Sequence, residues 1–145
     1  MIMKKNKILL LLLVVGAQAY GQADEPIPIV AFSQIIVNMN FPQYRALKNE
    51  GGFVEIEGGV RGIIVYCEST NNYIAYERDC PYSPRDPCAQ VGVDMSRLFM
   101  SDFCCGSTFN FSDGYPTKGP ASRPMRKYRT SLSGSTITIT DEIIY

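Results

Sequence analysis

The sequence predicts an all-β fold, an antiparallel sandwich or partly open barrel. Three observations carry this expectation. Short apolar runs of strand length show period-two alternation, and turn-forming Gly, Pro, Asn, Asp and Ser recur about every ten residues. No stretch carries the long 3.6-residue periodicity of an amphipathic helix, and no internal repeat is present.

Residues 1–19 read as a secretory signal peptide. Lys4, Lys5 and Lys7 form a positive start, Ile8 to Val15 an unbroken apolar run, and Ala17-Gln18-Ala19 a small-x-small cleavage site before Tyr20. The apolar run is shorter than the roughly 20 residues a membrane-spanning helix needs. No cysteine stands near the cleavage site, which disfavours a lipid anchor; an uncleaved signal anchor is the alternative. Export is therefore expected, to the periplasm or the extracellular space. Residues 20–29 read as a flexible lead-in and residues 30–145 as one β domain.

Within that domain, Ile35, Val37 and Met39 alternate and predict a strand over Val30 to Met39. Asn40 is the expected cap of a short helix with Pro42 in its first turn and Leu47 facing inward, ended by Gly51-Gly52. Phe53 to Ile56 alternates again, and Gly58-Gly59 predicts a hairpin turn. The β-branched run Ile63 to Cys67, a turn at Ser69 to Asn72 and the returning Tyr73 to Tyr76 complete a meander. Two short strands, Val91 to Val93 and Leu98 to Met100, flank a turn at Asp94 to Ser96. Thr108 to Phe111 precedes a turn at Ser112-Asp113-Gly114, and Met125 to Leu132 pairs with Thr136 to Thr140 through Ser133-Gly134.

Two cysteine-bearing loops interrupt this pattern. The first, Cys80-Pro-Tyr-Ser-Pro-Arg-Asp-Pro-Cys88, holds three prolines, which fix φ and favour a stiff, non-helical path. The second is Asp102-Phe-Cys104-Cys105-Gly-Ser107. In an exported chain, cysteines tend to pair as disulfides. The count of five leaves one over, or a metal holds several. Cys67, inside an apolar run, is the expected buried and unpaired one.

Composition excludes several functions. Beyond residue 19 the chain carries eleven bases against fourteen acids, with no basic stripe to attract nucleic acid. With no histidine, no nucleophile–His–acid set can form. No glycine-rich phosphate loop precedes a helix, and Asp79, Asp94, Asp102 and Asp113 match no calcium loop and read as turn-forming carboxylates. Tyr66, Tyr73 and Tyr76 read as sheet-packing residues.

The segment Gly106-Ser107-x-Phe109, the turn glycine Gly114, Gly119-Pro120-Ala121 and the following Pro124-Met125 with Tyr128 resemble the back end of a Rieske iron–sulfur domain. The resemblance runs from about Val30 to Thr140. It implies a small cluster-binding subdomain of two loops, about residues 79–121, inserted in the β domain. The ligand positions depart from the family's. The first-loop cysteine falls on Cys80 but its histidine partner on Tyr82, while the second-loop cysteine falls on Asp102 and its histidine on Cys105. A Rieske cluster takes two imidazoles on one iron and two thiolates on the other, and this chain has no imidazole. The family's inter-loop disulfide would correspond to Cys88–Cys104, with Cys88 reached by a three-residue insertion, and Cys80 would then face Cys105 across the pocket as a second bridge.

Three functional readings follow. In the first, no cofactor is bound, Cys80, Tyr82, Asp102, Cys105 and Ser107 are vestigial, and Ser107 stabilises the loop. The domain then serves as a binding or structural module, meeting a protein partner through Tyr82, Pro84 and Phe103 at the loop tips. In the second, Cys80, Cys88, Cys104 and Cys105 hold zinc or a [2Fe–2S] cluster, the iron form serving electron transfer, with Asp102 or Tyr82 as possible oxygen donors. In the third, Cys104 or Cys105 carries out thiol–disulfide exchange.

Overall fold

The run Ile63-Ile64-Val65-Tyr66-Cys67 is apolar at every position, and a strand that points such residues to both sides needs cover on both faces. The computed structural model, which describes residues 26–145, supplies two covers. The expected signal peptide and residues 20–25 lie outside the described residues.

The strands are β1 (Ile35–Asn38), β2 (Phe53–Ile56), β3 (Ile63–Ser69), β4 (Asn72–Glu77), β5 (Val91–Val93), β6 (Met100–Asp102), β7 (Thr108–Phe109), β8 (Pro116–Lys118), β9 (Lys127–Ser133) and β10 (Thr136–Ile144). They form a six-stranded antiparallel sheet in the order β1-β10-β9-β4-β3-β2 and a four-stranded sheet in the order β5-β6-β7-β8. The larger sheet curls into a half-barrel. On one face Ile63, Val65 and Ala75 pack with Tyr128, Ile137, Ile139, Val37 and Leu47. On the other, Ile64 and Tyr76 meet Val91, Met100, Phe109 and Phe111 of the loop-bearing subdomain. Tyr66 stacks on Phe111 at 4.3 Å, and the Tyr76 hydroxyl donates to the Phe111 carbonyl at 2.9 Å. The expected architecture of a β domain with an inserted two-loop subdomain is therefore present.

Several element boundaries differ from expectation, each for a local reason. The first strand begins at Ile35, not Val30: its ladder with β10 ends at Ile35 opposite Ile139, the residue where β10 starts an irregularity in its pairing with β9. Phe32 turns its ring edge onto Tyr128 instead. In the expected lead-in, Ile27 is buried and the carbonyls of Ile27 and Pro28 accept from the Arg126 guanidinium. The short helix is a 3-10 helix, Pro42–Lys48, flanked by Phe41 and not capped by Asn40, whose side chain takes Lys48 Nζ. Leu98 is not in a strand: it lies exposed in the β5–β6 turn, where Arg97 takes φ 61°, and the strand starts at Met100. The short edge strand β8 begins with Pro116, which signals a turn in sequence but is tolerated at a sheet edge.

Gly58-Gly59 does not make a two-residue hairpin. Residues 57–62 form a wider loop around the carboxylate of Glu77, which is fully buried. Glu77 accepts from Val60 N at 2.7 Å, Arg61 N at 3.0 Å, Asp79 N at 2.9 Å and the Tyr128 hydroxyl at 2.7 Å. Four donors satisfy a charge that would otherwise be costly to bury. A Cβ on Gly59 would lie 2.1 Å from Glu77 Oε2, so this position admits only glycine.

Candidate functional site

The first cysteine loop leaves β4 through Asp79 and returns to β5, with Asp79 bridging Gln90 and Cys80 N donating to Ala89 O at 3.2 Å. Its three prolines carry no backbone donor, and the remaining amides close it internally, Asp86 N to Ser83 O at 2.9 Å and Ala89 N to Asp86 O at 3.0 Å. Arg61, reaching in from the β2–β3 loop, supplies further donors. Its guanidinium donates to the carbonyls of Pro84 (3.2 Å), Asp86 (2.6 Å) and Pro87 (2.9 Å), while its Nε pairs with Asp79 Oδ1 at 2.7 Å. Asp79 is thus a buried member of an ion pair and not an exposed turn carboxylate, and its Oδ2 has no hydrogen-bond partner. Burial raises its pKa to about 6, against the opposing hydrogen bond and charge of Arg61 and with a further rise from Glu77.

The second loop joins β6 to β7. Asp102 N donates to Ser107 O at 2.9 Å and Gly106 N to Asp102 O at 2.8 Å, with Gly106 at φ 78° closing the turn. Ser107 Oγ accepts from Ala121 N at 2.9 Å, which ties the loop to the Gly-Pro-Ala stretch.

The two loops meet in one place. Cys88 and Cys104 form a disulfide with their Cα atoms 5.6 Å apart. Beneath it, Cys80 Sγ lies 3.8 Å from Cys105 Sγ; both are free thiols, so the expected second bridge is not closed. The disulfide also overturns the four-thiolate ligand set, because two of its four sulfurs are bonded to each other. Asp102 completes the group: its Oδ1 accepts from Cys104 N at 2.7 Å and its Oδ2 from the Cys105 thiol at 3.2 Å. Ser107 Oγ lies 3.1 Å from Cys105 Sγ, and since it accepts from Ala121 N its own hydroxyl proton is free to point at the sulfur. Cys80 and Asp102 are buried, while Cys105 is partly open to solvent. The Cys80 thiol is pushed well above its ordinary pKa, chiefly by burial and then by the Asp102 carboxylate, with the Tyr82 backbone N–H acting in the opposite sense.

Other candidates fall elsewhere. The Tyr82 ring is half-buried against the subdomain core. Pro84, expected at an exposed tip, is buried beneath the Arg61 contacts. Of the three expected tip residues only Phe103 is largely exposed, at 79%. Cys67 is buried and free, its thiol directed at Ser69 O. Sequence reasoning missed Arg61 and Glu77, since most of their partners lie sixteen or more positions away, up to 51 for Glu77 and Tyr128, and neither belongs to a motif.

No protein-family model matches the chain, and no curated protein matches it. Among solved structures, the chain is similar to the cyanobacterial plasma membrane Rieske protein PetC3 from Synechocystis PCC 6803, at 23% identity and a TM-score of 0.51, over 61% of this chain and 86% of that one. The ferredoxin of carbazole 1,9a-dioxygenase from Nocardioides aromaticivorans IC177 matches at 18% identity and a TM-score of 0.45, over 63% of this chain and 86% of that one. A complex of reduced oxygenase and oxidized ferredoxin in carbazole 1,9a-dioxygenase matches at 14% identity and a TM-score of 0.47, over 67% and 87%. The fold is Rieske-like. Among the described residues no helix is long and apolar enough to cross a membrane.

The residues present do not fit the cluster that this fold implies. A conventional Rieske centre takes two thiolates and two imidazoles. Here the two loops bring together two thiols and one carboxylate, the remaining loop cysteines are bridged, and the chain has no histidine.

Proposed function

We propose that this chain is an exported Rieske-fold protein that acts as a binding or structural module and does not carry electrons through a conventional Rieske centre. The observation that carries this reading is the fate of the four ligand positions. Asp102 stands at one of them, with one oxygen on a backbone amide of its own loop and the other on the Cys105 thiol. Tyr82 stands at another, with its ring against the subdomain core. The loops are held by a disulfide, by Arg61 and by hydrogen bonds, which together replace the cross-link a cluster would make. The charged-start, apolar, small-x-small beginning of the sequence supports export.

Contact with a protein partner would use the second-loop tip, where Phe103 projects beside the disulfide-linked Cys104. An aromatic ring on a rigid, cross-linked tip suits insertion into an apolar pocket, since little side-chain or loop entropy is lost on binding.

The test is the composition of the protein purified from its exported compartment without reductant. Non-reducing intact mass is expected about 2 Da below the reduced chain beginning at Tyr20, the two hydrogens that one bridge removes. Elemental analysis is expected to show no iron, and the visible spectrum no cluster absorbance. Stoichiometric iron with inorganic sulfide would overturn the reading.

A further inference from the structure

We infer that Cys80, Asp102 and Cys105 form a mononuclear site for a soft divalent cation of the zinc type, with a fourth coordination position open to solvent. This goes beyond the module reading and does not depend on it.

The geometry carries the inference. A tetrahedral zinc ion with Zn–S bonds of about 2.3 Å places its two thiolate sulfurs about 3.8 Å apart. Cys80 and Cys105 Sγ are 3.8 Å apart. The same bond lengths, with Zn–O at about 2.0 Å, put a carboxylate oxygen about 3.5 Å from each sulfur. Asp102 Oδ2 lies 3.2 Å from Cys105 Sγ, and the ligand atoms of all three residues lie within 4.8 Å of one another. Small adjustments would seat an ion in this triangle.

The surrounding hydrogen bonds orient each donor as a ligand. Cys104 N holds Asp102 Oδ1, which leaves Oδ2 facing the sulfurs. The Tyr82 amide is directed at Cys80 Sγ and Ser107 Oγ at Cys105 Sγ, both placed to donate to a thiolate once its proton has left. Outer contacts of this kind fix ligand orientation in metal sites. On binding, each thiol releases its proton to solvent as its sulfur–metal bond forms; Asp102 supplies the third bond and a water the fourth, at the side where Cys105 reaches solvent. Three protein ligands and one open position is the arrangement of zinc sites that admit an exogenous ligand.

The experiment titrates the full-length mature protein, with its Cys88–Cys104 bridge intact, with Zn²⁺ alone against a competing chelator. Native mass spectrometry then counts ions per chain, and Co²⁺ replaces zinc as a spectroscopic probe. One ion per chain is expected, with thiolate-to-cobalt charge transfer and the intense visible bands of tetrahedral cobalt. Cys105→Ser is expected to weaken binding on the order of 100-fold or more, and Asp102→Asn, which retains the acceptor for Cys104 N, by at least about tenfold. Cys67→Ser is expected to leave binding unchanged. Circular dichroism confirms that each variant is folded. Octahedral cobalt spectra, unchanged affinity in Asp102→Asn, or a closed Cys80–Cys105 disulfide in the isolated protein would each overturn the inference. Failure of the module reading is separate: it requires iron and sulfide, which zinc binding does not involve.

Discussion

At the scale of single residues, the two carboxylates at the end of β4 behave differently because one is fully partnered and the other is not. Glu77 receives four donors, whereas Asp79 has Arg61 on one oxygen and nothing on the other. Burial leaves Asp79 with a folded-state pKa of about 6, above the usual carboxylate range of the unfolded chain. The folded protein therefore holds this proton over a pH interval in which the unfolded chain has lost it. The stabilisation from this proton is full below about pH 4 and is lost as pH rises through 6, by up to about 3 kcal/mol. Urea midpoints of the wild type and Asp79→Asn, measured from pH 4 to 7.5, are expected to shift relative to each other, the wild type losing ground as pH rises. Parallel curves would refute the assignment. Neither the partnering of Glu77 nor the buried, unpartnered Oδ2 of Asp79 was legible in sequence. Glu77 ends a strand without a motif, and Asp79 precedes a cysteine loop where acidic residues commonly make turns.

At the scale of elements, the first cysteine loop is held by its own backbone bonds, such as Asp86 N to Ser83 O and Ala89 N to Asp86 O, and from outside by Arg61. One planar guanidinium reaches three successive-loop carbonyls and Asp79 at once. Lysine presents a point charge without the fork and cannot reproduce that set. Arg61→Lys is expected to speed amide hydrogen exchange about tenfold or more in residues 83–90, while β9 and β10 exchange as before. Equal exchange in the loop would show that its prolines alone keep it rigid. The stiffness itself was readable from three prolines in nine positions. Its anchor was not, because Arg61 sits in a glycine-rich turn that reads as a tight hairpin until the buried carboxylate is seen to widen it. The β1 start and the Leu98 position were misplaced for a related reason: period-two alternation continues past the point where a bulge or turn ends the pairing.

At the scale of the whole molecule, the loop-bearing sheet is joined to the half-barrel by the core around Tyr76 and Phe109, and the two loops are joined to each other by Cys88–Cys104. The bridge closes a loop of 16 residues' separation, for which restriction of the unfolded chain contributes about 3 kcal/mol. Replacing both cysteines by serine is expected to lower unfolding free energy by about 2–4 kcal/mol. A midpoint unchanged on denaturant unfolding would mean that Arg61 and the second-loop hydrogen bonds already hold the loops without it.

The sequence by itself determined the all-β class, the order of most strands, the two cysteine loops, the Rieske-like layout and the absence of imidazole ligands. The class, strands, loops and missing imidazoles depend on periodicity, turn chemistry and residue identity, which are local properties, and the Rieske-like layout rests on the resemblance of the Gly106-Ser107 to Tyr128 stretch to that family. Only the tertiary structure decided which cysteines are bonded, that Cys80, Asp102 and Cys105 converge, that Pro84 is buried while Phe103 projects, and that Arg61 and Glu77 organise the loops. Those outcomes depend on distances between atoms far apart in the chain. They are set by how the half-barrel curls and where the second sheet docks on it, and no local pattern encodes them.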